Sequence, residues 1–429
     1  MPASIARFAF TMLQASVIIA SAMDRPDLPA EIFAAVTETL ALWLARGWTP
    51  VAADVSAWSA AHWRAAQWVA YWQAATPLWV EALHEANIPA SQYPAGIVEV
   101  AALSRARTES MLCDLQALIA GLRAEGVELA PLKGARVAPF YYQPMTLRAL
   151  GDIDVLVRPA DLPRASAWLE AHAYTFYSRS SEDIVYLHGT RASEAWHPDN
   201  VRPLELHFRV REEFGGAGLT WDMSDALWQS ATKRPYLQTE TYLIAPALLL
   251  CHLCAHTSSD MFIRRGKLQQ LADIAHVAGT LTRDDWQRFM RQIPAARARF
   301  VIPALALTAR YYFDLIPADV LSALREPLTP RLRAWCDGAT LAAVSESNLE
   351  ARDDIGLPLA RLLATSHRET GRAVLRSLLP PRWNLVKRYP RLAASPFYPI
   401  CYLLLNVDRG RQITRRLLRP GAAYNIRHE

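Results

Sequence analysis

Residues 151–157, Gly-Asp-Ile-Asp-Val-Leu-Val, constrain this chain more than any other stretch. The run is short, apolar and rich in β-branched residues, which predicts a strand. Successive side chains on a strand alternate between faces, so Asp152 and Asp154 share one face while Ile153, Val155 and Val157 turn to a core. Two neighbouring like charges on such a strand need a counterion. A hard dication held through oxygen supplies one. The expectation is a divalent-metal site for Mg²⁺ at the edge of a small sheet.

The flanking sequence adds partners. Glu128–Leu132 reads as a strand running into Lys133-Gly134, and Gly134–Tyr142 as a helix whose N-terminus aims N–H groups and the positive dipole end at an anion. Leu204-Glu205-Leu206-His207-Phe208 alternates strictly, so Glu205, His207 and Arg209 share a face opposite Leu204, Leu206 and Phe208. That gives a third carboxylate, with Lys133 and Arg148 nearby as cations. Three carboxylates and two cations suit a metal-chelated phosphate, where metal and cation together neutralise a transferring phosphoryl or nucleotidyl group.

In this order, Leu132-Lys133-Gly134, Arg148, Gly151-Asp152-Ile153-Asp154 and Glu205-Leu206-His207 resemble the bacterial "uncharacterised nucleotidyltransferase" family of the DNA polymerase β-like nucleotidyltransferase superfamily. The likeness continues through Leu250–His256, Leu268–Ile274 with Asp273, and Asp285-Trp286, and spans roughly residues 60–320. Two features depart from the wider superfamily: Lys133-Gly134 stands where Gly-Ser is usual, and the third carboxylate is Glu rather than Asp. The resemblance implies a small mixed sheet, two Mg²⁺ ions and a nucleoside triphosphate such as ATP. It implies that Asp152, Asp154 and Glu205 are both catalytic and metal-binding. Lys133, Gly134, Arg148, Gly151 and His207 would contact the nucleotide. A second reading is a degenerate fold of the same type that only binds a nucleotide or a partner. The acceptor stays open.

Composition sets the frame. A chain of 429 residues with 52% apolar content and only 17 glycines fits a mostly helical α+β protein of several domains. The expected division is a helical N-terminal region (1–125), an α/β nucleotidyltransferase core (126–215), a helical domain (216–345) and a basic helical C-terminal region (346–429). From Thr220 onward the chain is expected to be helical. Five scattered cysteines argue against a disulfide framework and for a reducing cytoplasm. Residues 8–20 superficially resemble a signal peptide, but Thr11, Gln14 and Ser16 interrupt the apolar run, and a buried helix is the better expectation. No stretch of about 18 apolar residues is present, so no transmembrane segment is expected. From Arg361 to the end, fourteen Arg and Lys stand against three acids, about +11; a solvated basic face on helices is the first expectation, and an anionic partner (a nucleic acid, a membrane surface or an acidic protein) the second.

Two other clusters have plainer readings. Trp63, Trp68, Trp72 and Trp79 at helical spacing predict core, with a break near Pro77. Cys251, His252, Cys254 and His256 crowd six residues, yet one helix cannot direct four tetrahedral ligands to one ion. The cysteines are expected in the core and the histidines towards a cleft.

Overall fold

The structure is a computed structural model, and it describes residues 25–45, 55–189, 196–214, 218–345, 362–379, 385, 389–393 and 395–417. The apolar segment at residues 8–20 lies outside them. The described chain opens with helices α1 (Ala30–Ala45), α2 (Ala60–Trp72), α3 (Thr76–Glu85) and α4 (Ile97–Ala124). Pro77 sits in the first turn of α3, where its missing N–H costs nothing, so the Trp-rich stretch is two helices rather than one kinked helix.

The α/β part follows: β1 (Leu129–Pro131), α5 (Lys133–Tyr141), β2 (Ile153–Val157), α6 (Leu162–Ala171), β3 (Thr175–Arg179), β4 (Asp183–His188) and β5 (Arg202–His207). Then come the hairpin β6 (Arg211–Phe214) and β7 (Leu219–Asp222), helix α7 (Ser224–Ser230), and the hairpin β8 (Thr232–Tyr236) and β9 (Thr239–Leu243). The last part is helical: α8 (Pro246–Phe262), α9 (Leu268–Ala278), α10 (Arg283–Arg291), α11 (Ala295–Tyr311), α12 (Ala318–Arg325), α13 (Pro330–Gly338), α14 (Leu341–Val344), α15 (His367–Leu378), α16 (Pro390–Ala393) and α17 (Pro399–Leu417). The protein is α+β and mostly helical.

The five-stranded sheet has the order β1-β2-β5-β4-β3. β2 is therefore an inner strand, not an edge strand, and all five of its residues are buried. It runs parallel to β5, in a register that sets Asp154 opposite Glu205 and Leu156 opposite His207. The other pairings in this sheet are antiparallel. The expectation of helix from Thr220 onward is overturned by β7 and by the β8–β9 hairpin. β8 is exposed over four of its five residues, so it lacks the apolar alternation that announces a half-buried strand. Its turn is made by Leu237 with φ of 50°, a conformation that the sequence does not announce.

Two large apolar cores form, beside a small cluster of Leu385, Ala393, Cys401 and Leu405. One surrounds the sheet, joining Leu115, Leu118 and Leu122 of α4 to Val155, Val157, Leu204 and Leu206. The other unites the N-terminal helices with the C-terminal ones, from Phe33, Trp68 and Trp79 to Leu250, Phe262, Phe300 and Leu341. Trp68 and Trp79 are buried as expected of core tryptophans.

Candidate metal and nucleotide site

The carboxylates converge where β2 and β5 lie side by side. Asp154 is 2% exposed, inside an apolar strand. Three hydrogen-bonding groups crowd one region around it. Lys133 Nζ donates to Asp154 Oδ1 at 2.8 Å and lies 3.9 Å from Glu205 Oε2. His207 Nε2 lies 2.9 Å from Asp154 Oδ1 and 3.3 Å from Glu205 Oε2. The parallel register dictates this meeting: Asp154 and Glu205 are cross-strand neighbours, and His207 is two residues further along the same face.

The electrostatics follow from burial. Burial, then the charges of Asp154 and Glu205, push the Asp152 carboxyl up to about 7. Burial would also raise Asp154, but the Lys133 ammonium and the hydrogen bond with His207 hold it well below the usual range. His207 rises to about 9, because its bonds to Asp154 and Glu205 outweigh burial. Burial opposes the charge on Lys133, yet Asp154, Glu205 and Asp152 together keep it firmly protonated. The site thus concentrates negative charge, with one lysine and one imidazole holding it together.

Lys133 opens α5 with φ of 40°, in the left-handed region that non-glycine residues rarely adopt. Such strain persists where surrounding structure enforces it. Gly134 beside it has a steric reason. A Cβ there would stand 2.1 Å from Arg148 Nη1 and 2.8 Å from Leu150 Cδ2. Arg148 is not free to yield. Its Nη2 donates to Asp273 Oδ2 at 2.7 Å and its Nη1 to the Ala149 carbonyl at 3.0 Å. Tyr142 donates to the other Asp273 oxygen at 2.8 Å. Arg148 therefore clamps the segment before the aspartates to α9. Gln269 extends the clamp by donating to the Ala149 carbonyl at 3.0 Å. A Cβ at Gly151 would meet nothing within 4 Å, so packing does not demand glycine there.

Sequence reasoning missed two neighbours. Lys267, just before α9, lies within electrostatic reach of Asp152 and has no ion-pair partner among the described residues. Glu212 on β6 lies within reach of Lys133. Its Oε1 is 3.2 Å from His256 Nδ1 and 3.6 Å from His252 Nε2. On the far side, His256 Nε2 is 3.6 Å from Asp260 Oδ2. His252 is fully buried and lowered by burial; His256 is partly open and raised by Glu212 and Asp260 against burial and Lys133. Cys251 and Cys254 are buried in the core. No motif points to Glu212 or Lys267, because each meets the site only through tertiary packing.

Among the described residues, Asp154, Glu205 and His207 form the one set whose ligand atoms all lie within 4.8 Å of one another. One buried and one half-buried carboxylate with an imidazole nitrogen are a chemically suitable donor set for a divalent cation. The chain belongs to a family of uncharacterised nucleotidyltransferases, whose model matches residues 59–314. It is thus a transferase of nucleotidyltransferase type, a class that uses a divalent metal and a nucleoside triphosphate. No curated protein and no solved structure matches it.

Proposed function

We propose that this protein transfers a nucleotidyl group from a Mg²⁺-bound nucleoside triphosphate, ATP or GTP, to a hydroxyl or phosphate oxygen of an acceptor. The observation that carries this reading is the convergence of buried Asp154 with Glu205 and His207, with Asp152 beside them. Asp152, Asp154 and Glu205 would hold two Mg²⁺. When bound, such a pair clamps the attacking and leaving oxygens and neutralises charge developing at phosphorus. The acceptor oxygen attacks the α-phosphorus, the bond to the bridging oxygen breaks, and pyrophosphate leaves. Glu205, whose side chain is 28% exposed, takes the acceptor proton. Lys133 and the N–H groups opening α5 face the triphosphate, with Lys267 as a second cation and Gly151 lining the nucleotide side. Arg148 fixes the aspartate-bearing loop through Asp273. Five free cysteines fit a cytoplasmic setting.

The test is turnover. Pyrophosphate release from ATP or GTP with hydroxylated small molecules, peptides or RNA ends as acceptors supports transfer. Tight nucleotide binding with no release in any of these assays favours a nucleotide-binding protein that has lost catalysis.

A specific observation favours an anionic partner for the C-terminal region. Eight of the fifteen large apolar side chains exposed among the described residues fall between Leu375 and Val407. On α15, Leu375 shares a face with Arg368, Arg372 and Arg376. On α17, Ile400, Leu403, Leu404 and Val407 form a stripe that runs into Arg411. Apolar and basic side chains on one face suit an anionic lipid surface better than a nucleic acid. No helix among the described residues is long and apolar enough to cross a membrane. Sedimentation with phosphatidylserine vesicles should capture the full chain at low salt and fail after truncation following Leu357. Equal capture by neutral vesicles, or by the truncated chain, would contradict this reading.

A further inference from the structure

The imidazole at the centre of the carboxylate cluster suggests which ion one of the two cation positions prefers. We propose that His207 is itself a metal ligand, and that with Asp154 and Glu205 it makes a mixed nitrogen–oxygen position that takes Mn²⁺, or another first-row transition-metal dication, in preference to Mg²⁺. This deepens the proposed nucleotidyl transfer and rests on that reading.

The geometry carries the inference. Donors at about 2.0–2.2 Å from one ion lie roughly 3 Å apart at neighbouring corners of its coordination shell. His207 Nε2 stands 2.9 Å from Asp154 Oδ1 and 3.3 Å from Glu205 Oε2. The imidazole, whose Nε2 now bonds both carboxylates, would turn that atom to the ion on giving up its proton, and its backbone ladder needs no rearrangement. It cannot easily swing away, because its side chain is 10% exposed and its strand is paired on both sides.

The register offers outer support. Asp183 on β4 is the direct cross-strand partner of His207, so a further carboxylate stands on the same face. Lys133 Nζ, 2.8 Å from the same Asp154 oxygen, shows that this point already attracts a cation.

Donor chemistry then sets the preference. Mg²⁺ favours oxygen ligands and retains several waters. An imidazole nitrogen suits transition metals far better, and their affinity for nitrogen-containing sites exceeds that of Mg²⁺. A site of carboxylates alone would show no such bias.

The experiment uses the full chain, stripped with a chelator and loaded with Mn²⁺. Pulsed electron paramagnetic resonance should show ¹⁴N modulation from a directly bound nitrogen, changing to ¹⁵N modulation when the protein carries ¹⁵N-histidine. The modulation should vanish in His207→Gln and persist in His252→Gln and His256→Gln. Those last two variants, with the labelled wild type, keep the test decisive if His207→Gln fails to fold. Competition titration should give Mn²⁺ at least tenfold tighter than Mg²⁺ in the wild type, with the ratio falling towards one in His207→Gln. Bound Mn²⁺ without nitrogen coupling, or coupling unchanged in His207→Gln, overturns the inference. Nucleotidyl transfer at full rate in Mg²⁺ with no nitrogen coupling would leave the proposed function standing and remove this inference alone. Nitrogen coupling without transfer to any acceptor would do the reverse.

Discussion

Lys133 neutralises a buried carboxylate that an apolar strand would not otherwise tolerate. Removing one partner of a buried ion pair leaves an uncompensated charge, and the cost is of order 3 kcal/mol. Lys133→Ala should therefore lower the denaturation midpoint in the presence of a chelator. Added Mn²⁺ or Mg²⁺ should restore much of the loss, because the dication replaces the missing ammonium. Equal melting with and without metal would show that the carboxylates do not bind it. Lys267 has a different role. It has no ion pair to lose among the described residues, so Lys267→Ala should leave melting unchanged while weakening Mg·ATP binding about tenfold, the worth of one charge-assisted contact. Calorimetry on the variant checks both halves of that statement. At this scale much was legible in the sequence. Strand periodicity alone put Asp154 on one face of its strand and Glu205 with His207 on one face of theirs, each opposite the apolar side chains. It could not show that Arg148 binds Asp273, which lies 125 residues away. Nor could it show that Glu212 would stand between His252 and His256.

At the scale of elements, the junction of β1, α5 and β2 is held by steric fit. Gly134 lets the Arg148 guanidinium pass to α9, and Gly134→Ala should destabilise the fold by about 1–3 kcal/mol through overpacking. Urea unfolding measures it; an unchanged midpoint would mean the clamp shifts without cost. Farther away, α15 is fastened to α11 by a two-pronged bond: Arg299 Nη1 donates to Glu369 Oε2 at 2.8 Å and Nη2 to Oε1 at 2.9 Å. The hydrogen bond from Arg299 comes first among the causes that bring Glu369 from the usual 4.5 down to about 2. A depressed folded-state value means that the bond stabilises fully above about 4.5 and fades as pH falls towards 2. The difference in urea midpoint between wild type and Glu369→Gln should follow that window. A difference independent of pH would assign the loss to packing instead. The strands that carry the site, β1, β2 and β5, were readable because they are short apolar runs or alternate strictly. The β8–β9 hairpin was not, since the exposed β8 carries no such period and tertiary contacts keep the hairpin in place: β9 packs on β1 and α4, and Tyr236 donates to the Ala135 carbonyl of α5.

For the whole molecule, the sheet with its own core lies against a helical body built from both ends of the chain. The aspartate loop is tied across that boundary by Arg148 and Gln269 to α9, so the geometry of the site depends on elements far apart in sequence. Composition foresaw the helical bulk and the basic C-terminal region. It could not foresee that N-terminal and C-terminal helices share one core, because apolar residues carry no partner label. The central claim is that Asp152, Asp154 and Glu205, brought together by two adjacent strands, bind the metal-chelated triphosphate. Isothermal titration of Mg·ATP and Mg·GTP into the wild type and into Asp152→Ala/Asp154→Ala tests it most directly. A saturable heat in the wild type that disappears in the folded double variant is the expected result; equal affinity in both proteins would contradict the account.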